Sequence, residues 1–496
     1  MDLKPFLASI VKYAPSQMAQ GIIGLVSIPV FTKAYSPAAY GDYSIAMTSL
    51  MILVILMGWL PMSIIRFYAG YHKQNKLGQF YLQVTISSLI SIVAIGLVYF
   101  FTVSIISKHF SPTLVHLMRV TAGLFFVTVV FEVCISLLMA KGFAGWYSIF
   151  STSRVIVSFL ISLLFIYAWH LEIECLLYAN IIATAICIPL LYRKAVERIP
   201  FGSSTSMEYG QLKEMIHYSL PLVVGNIASW ILSVSDRYIL QFFRGAEEVG
   251  VYSVAYNLTD RSLMLLVTLF MLSSAPILIH AWENIGEKEC KSYVHQFTRC
   301  YLILCLPACS GLCVLSRTIL EVMSTEKYVD GHIAIPFVAI GIFFFGLQSR
   351  YQSGLILHKK TARISLAIVA AGILNLVLNV LSVPLYGYLA TAVNTLISYL
   401  VLLISMVFLS KRYFKWPFPM KSLIRVSSSA AAMTVVVLLI DSNGIPPSLI
   451  KLAATVSVGV VAYFGGLVLL KEFSSEEVTA ARSCFLLVIR RHRDRE

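Results

Sequence analysis

The sequence predicts an all-α polytopic membrane protein of about 14 transmembrane helices, in two six-helix lobes plus two extra helices. Three observations predict it. Of 496 residues, 58% are hydrophobic and only 12% charged, whereas a soluble domain carries roughly a quarter charged residues. Apolar runs of about 20 residues, the length a helix needs to cross a bilayer, recur along the whole chain. A short phrase is also repeated: Gly41-Asp42-Tyr43-Ser44 and Gly250-Val251-Tyr252-Ser253, each followed by an apolar residue and an alanine. A β-barrel would instead show strictly alternating segments of about 10 residues, and this sequence does not.

The apolar runs place spans near 6–32, 43–65, 79–106, 113–140, 146–169 and 173–192. After a polar stretch they resume near 215–241, 250–279, 297–316, 332–357, 362–384, 387–410, 423–440 and 448–470. The first run is too long for the apolar core of a signal peptide and is broken by polar residues, so it reads as a helix with one polar face. This gives an N-lobe over 1–200, a cytoplasmic linker over 201–214 and a C-lobe over 215–412. Two further helices fill 413–472, and a basic tail follows over 473–496. Gly41 falls just past the outer end of the first helix and Gly250 just past that of the seventh, so the halves share a topology related by an axis along the membrane normal. Both glycines read as turn residues that admit a tight entry into the next helix. Tyr43 and Tyr252 read as interfacial anchors.

The formal net charge is +14. With the N-terminus cytoplasmic, roughly 27 of the 38 basic residues lie in the termini and the even-numbered connections, as the positive-inside rule requires. The charge is therefore a membrane anchor, both termini are expected in the cytoplasm, and no nucleic-acid partner is expected. The tail "ARSCFLLVIRRHRDRE" is expected to lie on an anionic leaflet or to hold a partner. Cys305, Cys309 and Cys313 share a helical face, but no His or carboxylate joins them, so no metal is expected. There is no phosphate-binding Gly-x-x-x-x-Gly-Lys-Ser/Thr loop, no Ser-His-Asp-like cluster and no His-Glu-x-x-His. The chain is thus expected to be neither an ATPase nor an enzyme, and to carry no cofactor.

Ionisable residues inside a membrane are functional candidates by default. Arg119, Arg154, Arg237, Arg261 and Arg350 lie within spans, and Arg66 ends the second. A guanidinium offers a planar fork that matches phosphate or carboxylate oxygens, so these six are candidates for a cationic cavity. Arg66 and Arg154 could equally snorkel to headgroups, and Arg237 could serve an ion pair with its neighbour Asp236. Gln17 and Gln20, Asn226, and Asn375 and Asn379 are candidates for the polar lining; the two asparagines also suit interhelical hydrogen bonding. Glu132, Asp236 and Asp260 are the acids that could pair with an arginine or couple transport to protons or sodium.

Three stretches carry a resemblance: "FTKAYSPAAYGDYSIAMT", "SVSDRYILQFFRGAEEVGVYSVAYNL" and "HKKTARISLAIVAAGILNLVLNVLSVPLYGYLATAVNTLISYLV". The chain resembles the MOP exporter superfamily, specifically the Wzx-type polysaccharide and O-antigen flippases, from residue 10 to about residue 410. The resemblance implies two lobes that rock between inward-open and outward-open shapes. It also implies a substrate, an undecaprenyl-pyrophosphate-linked oligosaccharide, moved from the inner to the outer leaflet of the bacterial cytoplasmic membrane. Membrane lipids and polysaccharide polymerase or assembly proteins are its implied partners. Two rivals stand beside it. A cation-coupled, MATE-like multidrug exporter would favour an acidic lumen, whereas arginine outnumbers deep acids here. A membrane-embedded polymerase or ligase would need a long outer loop, and the outer loops are short.

Overall fold

A computed structural model describes residues 4–196, 209–442 and 446–473, with side chains from residue 17 onward except 272 and 273. Most of the expected linker and nearly all of the basic tail lie outside the described residues. No strand occurs among the described residues.

The N-terminal half comprises α1 (Lys4–Ala34), α2 (Pro37–Met57), α3 (Trp59–Lys73), α4 (Leu77–Ile106), α5 (Pro112–Ala140), α6 (Ala144–Tyr167) and α7 (Cys175–Ala195). The C-terminal half comprises α8 (Tyr209–Val234), α9 (Asp236–Arg244), α10 (Ala246–Asn284), α11 (Glu287–Val314), α12 (Ser316–Met323), α13 (Glu326–Val329), α14 (Ala334–Leu357) and α15 (Thr361–Lys411). Two helices, α16 (Met420–Asp441) and α17 (Leu449–Leu469), complete it. Among the described residues, 12 helices are long and apolar enough to cross a membrane. The chain is a multi-pass membrane protein.

Local chemistry sets the helix ends. Ser36 and Ser111 each cap a helix that opens on a proline, their hydroxyls accepting from the Ala39 and Leu114 amides; proline suits that position because its missing N–H has no partner there anyway. The second expected span is divided at Gly58 into α2 and α3, and the seventh at Ser235 into α8 and α9. Gly387 has φ 58° and ψ −143°, a conformation that favours glycine, and splits the 51-residue α15 into two arms. The expected spans 362–384 and 387–410 are these arms. Glu248 pins the break: its carboxylate accepts from the Tyr388 amide at 3.0 Å and from Arg244 Nε at 2.7 Å.

Within the N-terminal half α5 packs on α2, α3 and α7, and α6 on α1 and α7. Within the C-terminal half α15 packs on α8, α9 and α14, and α10 on α11 and α14, while α16 packs on α11 and α17. Most of the lysines and arginines in the connections sit at one end of the bundle, here termed the basic end.

The repeated phrase explains how the halves meet. Gly41 and Gly250 are not turn residues: they lie within α2 and α10, where those helices cross. A Cβ on Gly41 would overlap the Ala246 carbonyl oxygen, and one on Gly250 would overlap that of Pro37. The glycines let two backbones touch, as small residues do between membrane helices. Positive φ occurs instead at Gly245, between α9 and α10. Tyr252 is no interfacial anchor either. It is fully buried and donates to Asp236 Oδ2 at 2.9 Å.

Candidate functional site

Cross-half hydrogen bonds close the end opposite the basic one. The Ser44 and Ser253 hydroxyls are 2.8 Å apart, Ser49 and Tyr238 2.7 Å, and Tyr328 Oη donates to the Tyr35 carbonyl at 2.9 Å. Toward the basic end Ser63 donates to the Met215 carbonyl at 3.0 Å, and Phe67 meets Tyr218 edge-on at 5.8 Å. Between these closures lies a cavity of about 630 Å³. That volume is within the roughly 300–1,000 Å³ of small-molecule sites.

Seven helices line it. Gln17 and Gln20 enter from α1, Met51 from α2, Ser229 and Ser233 from α8, and Arg237 from α9. Asn257, Asp260 and Arg261 enter from α10, Gln348 and Gln352 from α14, and Tyr399 from α15. Arg237 is 8% exposed; its Nη2 donates to Asn257 Oδ1 at 3.2 Å, and its guanidinium sits 4.9 Å from the centre of the Tyr256 ring. Arg261 crosses to the other half, where Nη1 donates to the Gln20 carbonyl at 3.4 Å. It lies so close to α1 that a Cβ on Gly24 would overlap its guanidinium. Among the described residues neither arginine forms an ion pair, and Asp260 does not either. Leucines, methionines, Val234, Ile368 and Phe345, with Tyr256 and Thr268, complete the wall. The cavity thus combines guanidinium, amide and hydroxyl groups and the Asp260 carboxylate with apolar side chains.

Five of the expected site residues meet here: Gln17, Gln20, Arg237, Asp260 and Arg261. The others do not line this cavity. Arg350 is 2% exposed and turned away, its guanidinium donating to Ser274 Oγ at 3.0 Å and Ser349 Oγ at 3.0 Å. Helix phase explains this: Phe345, Gln348 and Gln352 share the cavity face of α14, and a residue two positions from Gln348 and Gln352 lies about 200° around the helix. Arg66 and Arg119 are exposed on α3 and α5. Asn226 is exposed on α8, one turn before Ser229.

Arg154 and Glu132 line a second cavity of about 300 Å³ inside the N-terminal half, with Asn180 and Thr184. Arg154 stacks over Phe131 at 4.6 Å. Met51 lines both cavities. Asn375 and Asn379 are fully buried and hydrogen-bonded across α15: Asn379 donates to Asn375 Oδ1 at 3.0 Å, and Asn394 from the other arm donates to Asn379 Oδ1 at 3.2 Å. Asp236, 1% exposed, lies beside them and also accepts from Thr395 Oγ1 at 3.4 Å.

Sequence reasoning missed Asn257, Gln348, Gln352 and Gly24. The two glutamines carried a signal, being four apart and so on one helical face in the polar patch "GLQSRYQSG".

A family profile described as "Polysaccharide biosynthesis protein" matches residues 6–282, more than half of the chain. An uncharacterized membrane protein of Methanocaldococcus jannaschii is 21% identical over 392 residues, which covers 73% of this chain and 75% of that protein. A Haloferax volcanii protein named "Probable low-salt glycan biosynthesis flippase Agl15" is 25% identical over 210 residues, 40% of this chain and 42% of that protein. Among solved structures, the lipid II flippase MurJ in an inward closed conformation aligns with a TM-score of 0.76 at 15% identity, covering 94% of this chain and 99% of that one. An inward-facing multidrug resistance MATE family transporter of the MOP superfamily aligns with a TM-score of 0.66 at 13% identity, covering 81% and 98%. At such identities the structures speak for the fold, which is that of membrane transporters and flippases. With that fold and the extent of the profile match, the chain belongs to the polysaccharide biosynthesis protein family.

Proposed function

We propose that this protein flips a lipid-linked oligosaccharide bearing a phosphate or pyrophosphate across the bacterial cytoplasmic membrane by alternating access. The observation that carries the reading is the pair Arg237 and Arg261, held in one cavity between the two halves with no ion pair among the described residues. A phosphate headgroup cannot cross about 30 Å of hydrocarbon unaided. The two guanidinium forks supply the charge it lacks, and Gln17, Gln20, Gln348 and Gln352 supply hydrogen bonds for sugar hydroxyls. The hydrocarbon anchor stays in the bilayer. The family and the cavity support this substrate class; undecaprenol as the anchor is part of the proposal.

In this reading the basic end is cytoplasmic, the lobes over 1–200 and 215–412 rock as bodies, and the α2–α10 crossing opens when the cavity turns outward. Glu132, Asp236 and Asp260 are the acids through which a proton or sodium gradient would act. An organic-cation exporter is the rival, and the two cavity arginines disfavour it by charge repulsion. Proteoliposomes containing a fluorescent polyprenyl-pyrophosphate oligosaccharide test both. We expect wild-type protein to translocate the label and Arg237→Ala to lose translocation by about tenfold or more. Transport of an organic cation without transport of the lipid-linked sugar would overturn the reading. Repeating the assay with and without proton and sodium gradients identifies the coupling.

A further inference from the structure

At the basic end of the C-terminal half, α14, α15 and the 412–419 connector enclose a groove of about 610 Å³ that the cavity above does not use. We infer that this groove binds one anionic phospholipid of the surrounding leaflet. The inference rests on the orientation proposed above only for naming that leaflet as cytoplasmic.

The groove is amphipathic along one line. Leu403, Val407 and Lys411 are spaced four apart on α15, so they form a stripe that runs from apolar to basic over about 12 Å. Lys415 adds a second ammonium from the connector. Both lysines are exposed, and among the described residues neither forms an ion pair and no carboxylate lines the groove. Its rim is aromatic: Trp416 stands 5.2 Å from Tyr351 and 5.9 Å from Phe418, ring centre to ring centre. Aromatic residues at the end of a span suit the headgroup layer. The rim is held in place, because His295 Nδ1 donates to the Pro417 carbonyl at 2.7 Å.

An acyl chain fits along Leu403 and Val407, with the phosphate between Lys411 and Lys415. Basic pockets between membrane helices recognise acidic lipid headgroups in this way. A zwitterionic lipid would bring a cationic headgroup against two lysines and lose the charge term. Bulk phospholipid, rather than the transported lipid, is the occupant favoured because the groove shares no lining residue with the interlobe cavity.

The test uses the full chain, purified and delipidated in detergent, with palmitoyl-oleoyl phosphatidylglycerol and phosphatidylcholine as probes in native mass spectrometry. We expect one phosphatidylglycerol to be retained in preference to phosphatidylcholine, with the preference falling about fivefold for each of Lys411→Gln and Lys415→Gln. Lys359→Gln with Lys360→Gln, at the same end of the bundle, is expected to leave it unchanged. Replacing Phe418 by photoreactive benzoylphenylalanine, with both lysines intact, is expected to capture phosphatidylglycerol even if the lysine variants fold poorly. Equal retention of the two lipids would overturn the inference, as would a preference indifferent to both lysines. So would preferential capture of undecaprenyl phosphate at Phe418, which would make the groove a docking point for the transported class. None of these readouts requires flipping, so failure of the transport reading and failure of this site are told apart.

Discussion

Ser44 Oγ and Ser253 Oγ lie 2.8 Å apart, buried, across the crossing of α2 and α10. They are the same position in the two copies of the repeated phrase. If this crossing must part for the cavity to open away from the basic end, Ser44→Cys with Ser253→Cys will form a disulfide on mild oxidation. Translocation should then fall at least about tenfold and return with reductant. Full activity of the cross-linked protein would show that the crossing never opens.

The two cavity arginines should differ in kind from Arg350. Hydrogen bonds to a charged group are worth about 1.5–3 kcal/mol, so Arg237→Ala and Arg261→Ala should each lower transport of the anionic substrate by about tenfold or more. Arg237→Lys should recover only part, since it keeps the charge and loses the fork. Arg350→Met should fold and transport normally, because among the described residues Arg350 meets serine hydroxyls and no carboxylate, so no buried counter-charge is left unpaired by its removal. Loss of transport by folded Arg350→Met would place that residue in the path.

Gly24 gives Arg261 its room on α1. A methyl group there meets the mobile end of a side chain, not backbone, so Gly24→Ala should preserve folding and displace the guanidinium. The expected phenotype is reduced transport with little change in thermal stability. Gly41→Ala and Gly250→Ala meet carbonyl oxygens instead and should lower stability measurably in a thermal-shift assay. Equal stability losses at all three glycines would contradict this distinction.

Glu472 is fully buried between two arginines, accepting from Arg299 Nε at 2.7 Å and from Arg425 at 3.4 Å. It ties the end of α17 to α11 and α16. Glu472→Gln removes the carboxylate charge that both guanidinium groups meet. Both arginines are partly solvated, so we expect a loss of about 1–3 kcal/mol, read as earlier thermal unfolding. An unchanged melting temperature would show the tie is not structural.

The membrane class and the doubling were legible because hydropathy and repetition are one-dimensional signals. So were Arg237, Arg261, Gln17 and Gln20, polar groups that an apolar helix keeps for an interior face. What the sequence withheld was rotation about each helix axis. Arg350 and Gln348 are two residues apart yet face opposite ways, and Arg119 is exposed although it falls about 10 Å into its span. The glycines of the repeat were visible as glycines, but a close approach between helices 209 residues apart leaves no local trace that separates it from a turn.

The contacts at that crossing are reciprocal. Gly41 meets Ala246 while Gly250 meets Pro37, and each serine meets its own counterpart. This is the self-complementary geometry of a symmetric homodimer, written here into a single polypeptide. A change to one copy therefore breaks half of a matched pair, and compensation should be sought at the position 209 residues away.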